Sequence, residues 1–152
     1  MRSRWLLAGG VLSLCGAAIH LACIPGGPSW YRFFGAGERM ATLAGQGAAE
    51  PAIIASLIAA IVGIWAAYAL SGAGLLPRLP FLRPVLVLIS AFYLLRAAAL
   101  PAMLIYLVPG RSPEFLVWSS AIVLLYGIVH AVGTWKAWPE LVPTSKGQAT
   151  AR

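Results

Sequence analysis

Residues 85–108 read VLVLISAFYLLRAAALPAMLIYLV, with a single charged side chain, Arg96. A helix crosses roughly 30 Å of hydrocarbon with about 20 apolar residues at 1.5 Å rise each. The stretch is therefore expected to span a bilayer. Arg96 stands eleven positions after Val85 and twelve before Val108, about 16–18 Å from either end, which places it near the midplane.

Three more windows of this kind flank it, at 5–24, 51–70 and 115–135. The breaks between them are turn and helix-stop chemistry: Pro25, Gly26, Gly27 and Pro28; then Ser71, Gly72, Ala73 and Gly74 with Pro77 and Pro80; then Pro109 and Gly110. Open sheets cannot cross lipid, because each backbone N–H and C=O must be satisfied internally, and the short alternating segments of a barrel are missing. The expected fold is an all-α integral membrane protein, a four-transmembrane-helix bundle forming one domain over 1–138, followed by a short tail over 139–152.

Composition agrees. The 152 residues are 61% apolar and 10% charged, with a mean hydropathy of +0.85, against roughly 25% charged in soluble domains. Arg2 and Arg4 before the first window resemble a secretory signal, but no small-x-small cleavage site follows, so that helix is expected to be retained and both termini to share one side. Arg2, Arg4, Arg78, Arg83, Lys136, Lys146 and Arg152 fall on that side, with Arg32, Arg39 and Arg111 opposite. The positive-inside rule then predicts cytoplasmic termini in a multi-pass inner-membrane protein. The net charge of +7 brackets the spans and forms no basic stripe, so it gives no reason to expect a nucleic-acid partner.

The segment 25–50 is long for a connector, and long ordered loops are more often functional. Trp30, Tyr31, Phe33 and Phe34 around Arg32 read as a stretch at the headgroup level, either anchoring the loop or roofing a cavity. A short interfacial helix is expected from Glu38 to Ala44 after the break at Gly35, Ala36 and Gly37. In the second span Ala52, Ser56, Ala59, Gly63 and Ala66 share one face, as close helix packing in lipid requires, and this helix is expected at the bundle's centre. Gly127 and His130 of the fourth span, with Ser120 and Thr134, read as an interhelical packing and hydrogen-bonding face.

An arginine at the midplane costs roughly 2.5–3.5 kcal/mol on insertion scales, so Arg96 should face the bundle interior or water and have a partner. Pro101, on the same helix, leaves the Ala97 carbonyl without its donor. Arg96 is then either a structural lock or a planar fork for an anionic or carbonyl-bearing ligand. The ligand-binding candidates are Arg96, His20, Glu50, Trp30, Tyr31 and Tyr93, gathered in the outer half. His20 and His130 are expected at depths about 15 Å apart, too far to share a metal ion. With four glutamates at span ends, no aspartate and no nucleotide, zinc or serine-nucleophile motif, no catalytic residue, metal or cofactor is predicted.

The helix count, length and cytoplasmic termini resemble the layout of DoxX-type small four-helix membrane proteins. That resemblance implies the same four-helix architecture and a membrane oxidoreductase component as one reading of function. The residues themselves favour binding, or helping to move, a lipid-like, quinone-like or small amphiphilic anionic ligand. A third reading is a structural or accessory subunit whose partner is another membrane protein or a second copy of the chain.

Overall fold

The computed structural model describes residues 3–106 and 111–141. The last two residues of the third expected span, the Pro109 and Gly110 break, and the tail from 142 lie outside the described residues, as do Arg2, Lys146 and Arg152. All regular structure described is helical: α1 (Arg4–Phe33), α2 (Glu38–Gly45), α3 (Glu50–Gly72), α4 (Leu82–Ala98), α5 (Leu100–Ile105), α6 (Pro113–Ala137) and a terminal 3-10 turn (Trp138–Leu141). Four helices, α1, α3, α4 continued by α5, and α6 continued by the 3-10 turn, are long and apolar enough to cross a membrane.

The helix ends follow from local chemistry. The Ser3 and Ser112 hydroxyls accept from the backbone N–H groups of Leu6 and Phe115 at 3.4 and 3.2 Å, and Pro113 occupies the first turn of α6, where its missing donor costs nothing. The α3–α4 link is held by Ser71, whose hydroxyl donates to the Pro77 carbonyl at 2.8 Å and accepts from the Leu79 N–H at 3.1 Å. The Pro101 break falls where the sequence places it, between Ala98 and Leu100.

The first expected helix stop is not one. The helix continues through Pro25, Gly26, Gly27 and Pro28 to Phe33, with the irregularity confined to Gly27 at φ 67°, ψ −157°. Only glycine takes that conformation without strain, and Pro28 then stands near the start of the resumed helix, where proline is tolerated. The segment is a kink, and the headgroup-level stretch expected at 30–34 is mostly the resumed helix. Tyr31 is turned inward while Trp30, Phe33 and Phe34 remain exposed. The expected short helix follows it as α2.

Helix α1 packs along α3, α4 along α6, and α1 against α6 joins the two pairs, with α2 lying across α1 and α3. The α3 face that is buried carries Ala55, Ala59, Ala66 and Ala69. Of the five small residues expected to share the packing face, Ala59 and Ala66 are buried, Ala52 is half-buried and Ser56 is exposed. A Cβ added at Gly63 would touch nothing within 4 Å. Alanine occurs on every side of this helix, so composition does not set its rotation; contact with α1 does, and at Gly10 of α1 a Cβ would come within 2.8 Å of Leu70 and 3.4 Å of the Ala66 carbonyl. On α6, Gly127 is where α4 approaches, since a Cβ there would meet the Leu94 side chain at 2.8 Å and its backbone nitrogen at 3.1 Å.

Two clusters of buried side chains result. The larger, around Leu6, Ala69, Leu82, Leu86, Ile89, Tyr93 and Ala137, lies towards the end opposite α2 and includes Leu141, so the chain beyond Trp138 returns one side chain to the core. That end also carries Arg83 over the Trp138 ring at 4.6 Å and Lys136 over Trp5 at 5.4 Å. The smaller cluster, Cys23, Tyr31, Ala41 and Ala55 with Met40 and Ala44, lies under α2. The outward surface of the spans is apolar, with Ile64, Leu88, Leu95 and Trp118 strongly exposed, as suits helices whose solvent is lipid.

Candidate functional site

The α2 end holds a cavity of about 360 Å³, within the range that takes a small-molecule ligand. Its walls are mainly apolar, from Ile19 of α1, Phe34, Met40 of α2, and Pro51, Ile54, Ala55 and Ile58 of α3. Four side chains bring polar atoms: His20, Cys23, Tyr31 and Arg111.

Each polar group is set by local chain chemistry. The His20 Nδ1–H donates to the Gly16 carbonyl one turn earlier at 2.8 Å, and Nε2 makes no bond among the described residues. Tyr31, beyond the Gly27 kink, lines the cavity; it is only 5% exposed, and its hydroxyl is buried with no hydrogen-bond partner among the described residues, as are those of Tyr93 and Thr134. Arg111 directly precedes the Ser112 cap of α6 and donates from Nε to the Gly35 carbonyl at 2.7 Å. Gly35, at φ 72°, tolerates no side chain here, because a Cβ would run into the Phe115 ring.

The charges at this end divide cleanly. Arg32 pairs with Glu38 at 2.7 Å and Arg39 with Glu50 at 2.9 Å, and the guanidinium of Arg32 holds the Glu38 carboxyl below the usual carboxylate range. Arg111 and Arg96 have no carboxylate partner among the described residues, and the two lie within electrostatic range of each other. Arg96 is half-buried, and the one hydrogen bond it makes among the described residues runs from Nη1 to the Ser120 hydroxyl at 3.3 Å.

The expected outer-half constellation is thus only partly assembled. His20 and Tyr31 line one cavity. Glu50 stands at the start of α3 and is held by Arg39 instead. Trp30 is exposed and packs on Phe34, with ring centroids 5.6 Å apart. Arg96 is on the α4–α6 side and does not line the cavity. Tyr93 belongs to the other cluster, packed edge-on against Trp65 at 5.1 Å and Tyr126 at 5.4 Å, and beside His130 at 5.3 Å.

His130, fully buried, is the centre of that second polar locus. Its Nδ1–H donates to the Tyr126 carbonyl at 2.8 Å, and Nε2 accepts from the Ser13 hydroxyl at 3.4 Å. Gly9 makes room for the ring, since a Cβ there would lie 3.0–3.2 Å from its atoms. The Tyr126 hydroxyl donates to the Leu12 carbonyl at 2.8 Å. These bonds tie α1 to α6.

The site residue that sequence reasoning assigned only to loop charge is Arg111. A signal was present: a cation beside a helix N-terminus is opposed by the helix dipole, so its retention between Gly110 and the Ser112 cap needs a compensating contact. Comparison with protein-family models, with curated proteins and with solved structures finds no match, so the likeness to DoxX-type proteins stays one of layout.

Proposed function

We propose that this protein is a cell-membrane protein, with its termini on the cytoplasmic side and the α2 end outward, that binds or helps to move an amphiphilic ligand in the cavity under α2. The orientation rests on the seven-to-three division of basic residues between the two sides. The observation that carries the binding reading is a mainly apolar cavity whose lining includes Arg111, a guanidinium with no carboxylate partner among the described residues. An apolar chain or ring occupies the wall formed by α1 and α3, and a polar head meets Arg111. Arg111 takes the part that sequence reasoning gave to Arg96.

Native mass spectrometry of the protein released from its membrane tests this. The wild type and Arg96→Leu should carry a bound small molecule, and Arg111→Leu should not. A wild type without adduct, recovered only in complex with another subunit, would instead favour the accessory reading.

A further inference from the structure

We infer that the cavity opens sideways into the bilayer, through a gap between α3 and α4 in the half of the membrane nearer α2, and that its ligand is a lipid with an anionic head, bound in its ordinary membrane orientation. This rests on the binding reading above and names the ligand's class and its route.

The gap follows from one stripe of α3. Ile54, Ile58, Ile61 and Trp65 succeed one another at steps of four, three and four, so they share a helix face. At its inner end the stripe meets α4, where the Trp65 ring packs against Phe92 and Tyr93 with centroids 4.9 and 5.1 Å apart. Towards α2 that contact ends. Ile61 and Ile58 are 48% and 38% exposed, and on α4 the turn beyond Phe92 carries Leu95 at 71%. No described residue of α4 or α5 lines the cavity, and α5, which rests on α6, has no buried residue, so it does not fill the gap. Ile54 and Ile58 belong both to the stripe and to the cavity lining. Cavity and gap are therefore one continuous apolar surface, floored by the contact of Trp65 with Phe92.

Depth fixes how the ligand lies. Arg111 stands at the ends of the spans, ahead of the α6 cap and bonded through Nε to the Gly35 carbonyl beyond α1, while its Nη1 and Nη2 make no bond among the described residues. Ile58 is eight residues into α3, about 12 Å below its start. A positive charge at headgroup level above an apolar wall that reaches hydrocarbon depth matches a lipid with its head at the surface and its chain inward. The guanidinium edge suits phosphate and carboxylate oxygens alike, so the head is assigned by its charge and not by the kind of acid. A cavity of about 360 Å³ lies near the lower bound for a drug-sized molecule. Lipid chains therefore leave it through the gap and stay in hydrocarbon, whereas a water-soluble anion would leave the isoleucine wall without an occupant.

Full-length protein in phosphatidylcholine nanodiscs, irradiated with a phosphatidylglycerol that carries a diazirine in mid-chain, tests the inference. Peptides holding Ile58, Ile61 and Leu95 should take up about tenfold more label than the α6 peptide holding the lipid-facing Trp118, the margin of a bound over a passing lipid at about 1.4 kcal/mol. Phosphatidylglycerol or oleic acid should displace the label at about one tenth of the concentration that neutral dioleoylglycerol needs, the margin of one charge-assisted hydrogen bond. Which of the two acids competes tells a phosphodiester head from a carboxylate. Arg111→Gln should bring the acidic-to-neutral ratio near one; the wild-type readings decide the matter even where that variant folds poorly. Even labelling of the Trp118 peptide overturns the gap, and a small molecule still carried in native mass spectrometry would then leave the cavity reading standing. Equal displacement by the neutral lipid overturns the anionic head. Displacement by glycerol 3-phosphate from water, as effective as that by the lipids, overturns the membrane source. Even labelling together with a wild type that carries no adduct takes the cavity reading down as well.

Discussion

His20 and His130 make the same first hydrogen bond: in each, Nδ1–H donates to the carbonyl four residues earlier at 2.8 Å. Their second nitrogens part company. Nε2 of His130 accepts from Ser13 across the α1–α6 contact, where the ring is fully buried, whereas Nε2 of His20 makes no bond among the described residues and its side chain lines a cavity. The helix dictates the first bond; the neighbours decide whether the remaining nitrogen is a structural fastener or a group open to chemistry. Two tyrosines differ likewise, since the Tyr126 hydroxyl has a carbonyl to donate to and the Tyr31 hydroxyl has no partner among the described residues.

The contrast breaks most sharply at His130. Replacing it by alanine empties a closed site and strands the Ser13 hydroxyl, so His130→Ala should lose about 2–4 kcal/mol of stability. His20→Ala, at a site already open, should lose less than about 1 kcal/mol. Chemical unfolding in micelles measures both, and comparable losses would erase the distinction between a closed and an open histidine. Next comes the α1–α6 contact itself: at Gly133 a Cβ would lie 2.9–3.0 Å from the Leu6 side chain and its backbone nitrogen. Because a backbone atom cannot swing away, Gly133→Val should cost about 1–3 kcal/mol, read as a lower midpoint in the same experiment.

Smaller effects should differ in sign. Tyr126→Phe removes a made hydrogen bond and should lose about 1 kcal/mol, whereas Tyr31→Phe removes an unmet group and should leave the unliganded protein unchanged or up to about 1 kcal/mol more stable. Matching signs in paired thermal melts would mean that the Tyr31 hydroxyl has a partner in the folded protein. Arg96→Leu takes a costly side chain out of a span and should not lower stability. The smallest effect belongs to the exposed Arg32–Glu38 pair. Since the Glu38 carboxyl titrates below its ordinary value, what the pair contributes is present above the unfolded-state pKa and is lost as pH falls through the lower folded value. Glu38→Gln should leave the melt at neutral pH unmoved, while an NMR titration of Glu38 should report the lowered midpoint. A midpoint at the ordinary value would mean that the pair does not form in solution.

Much of the fold is legible in the chain because a bilayer imposes length and apolarity on each crossing. The four spans, the short helix after Gly37 and the Pro101 break are readable for that reason. Pro25, Gly26, Gly27 and Pro28 misled, because a glycine able to take φ 67° ahead of a proline suited to a helix start allows a kink as readily as a stop. The rotation of α3 was illegible: with alanine on all faces, burial at Ala55 and Ala59 against exposure at Ser56 is decided by the neighbouring helix.

What the sequence alone determined is the set of elements: membrane-length helices, their capping serines, the first hydrogen bond of each histidine, and one arginine set in an apolar span. Those follow from local backbone chemistry and from the solvent that apolar runs require. Tertiary structure decided the partners. It brought His20, Tyr31 and Arg111, from the two sides of the Gly27 kink in α1 and from the residue ahead of the α6 cap, to one cavity; it left Glu50 with Arg39, and it set Arg96 against Ser120. Convergence of residues ninety-one positions apart, from 20 to 111, depends on how α1 bends and which helices it meets, and no local pattern encodes that.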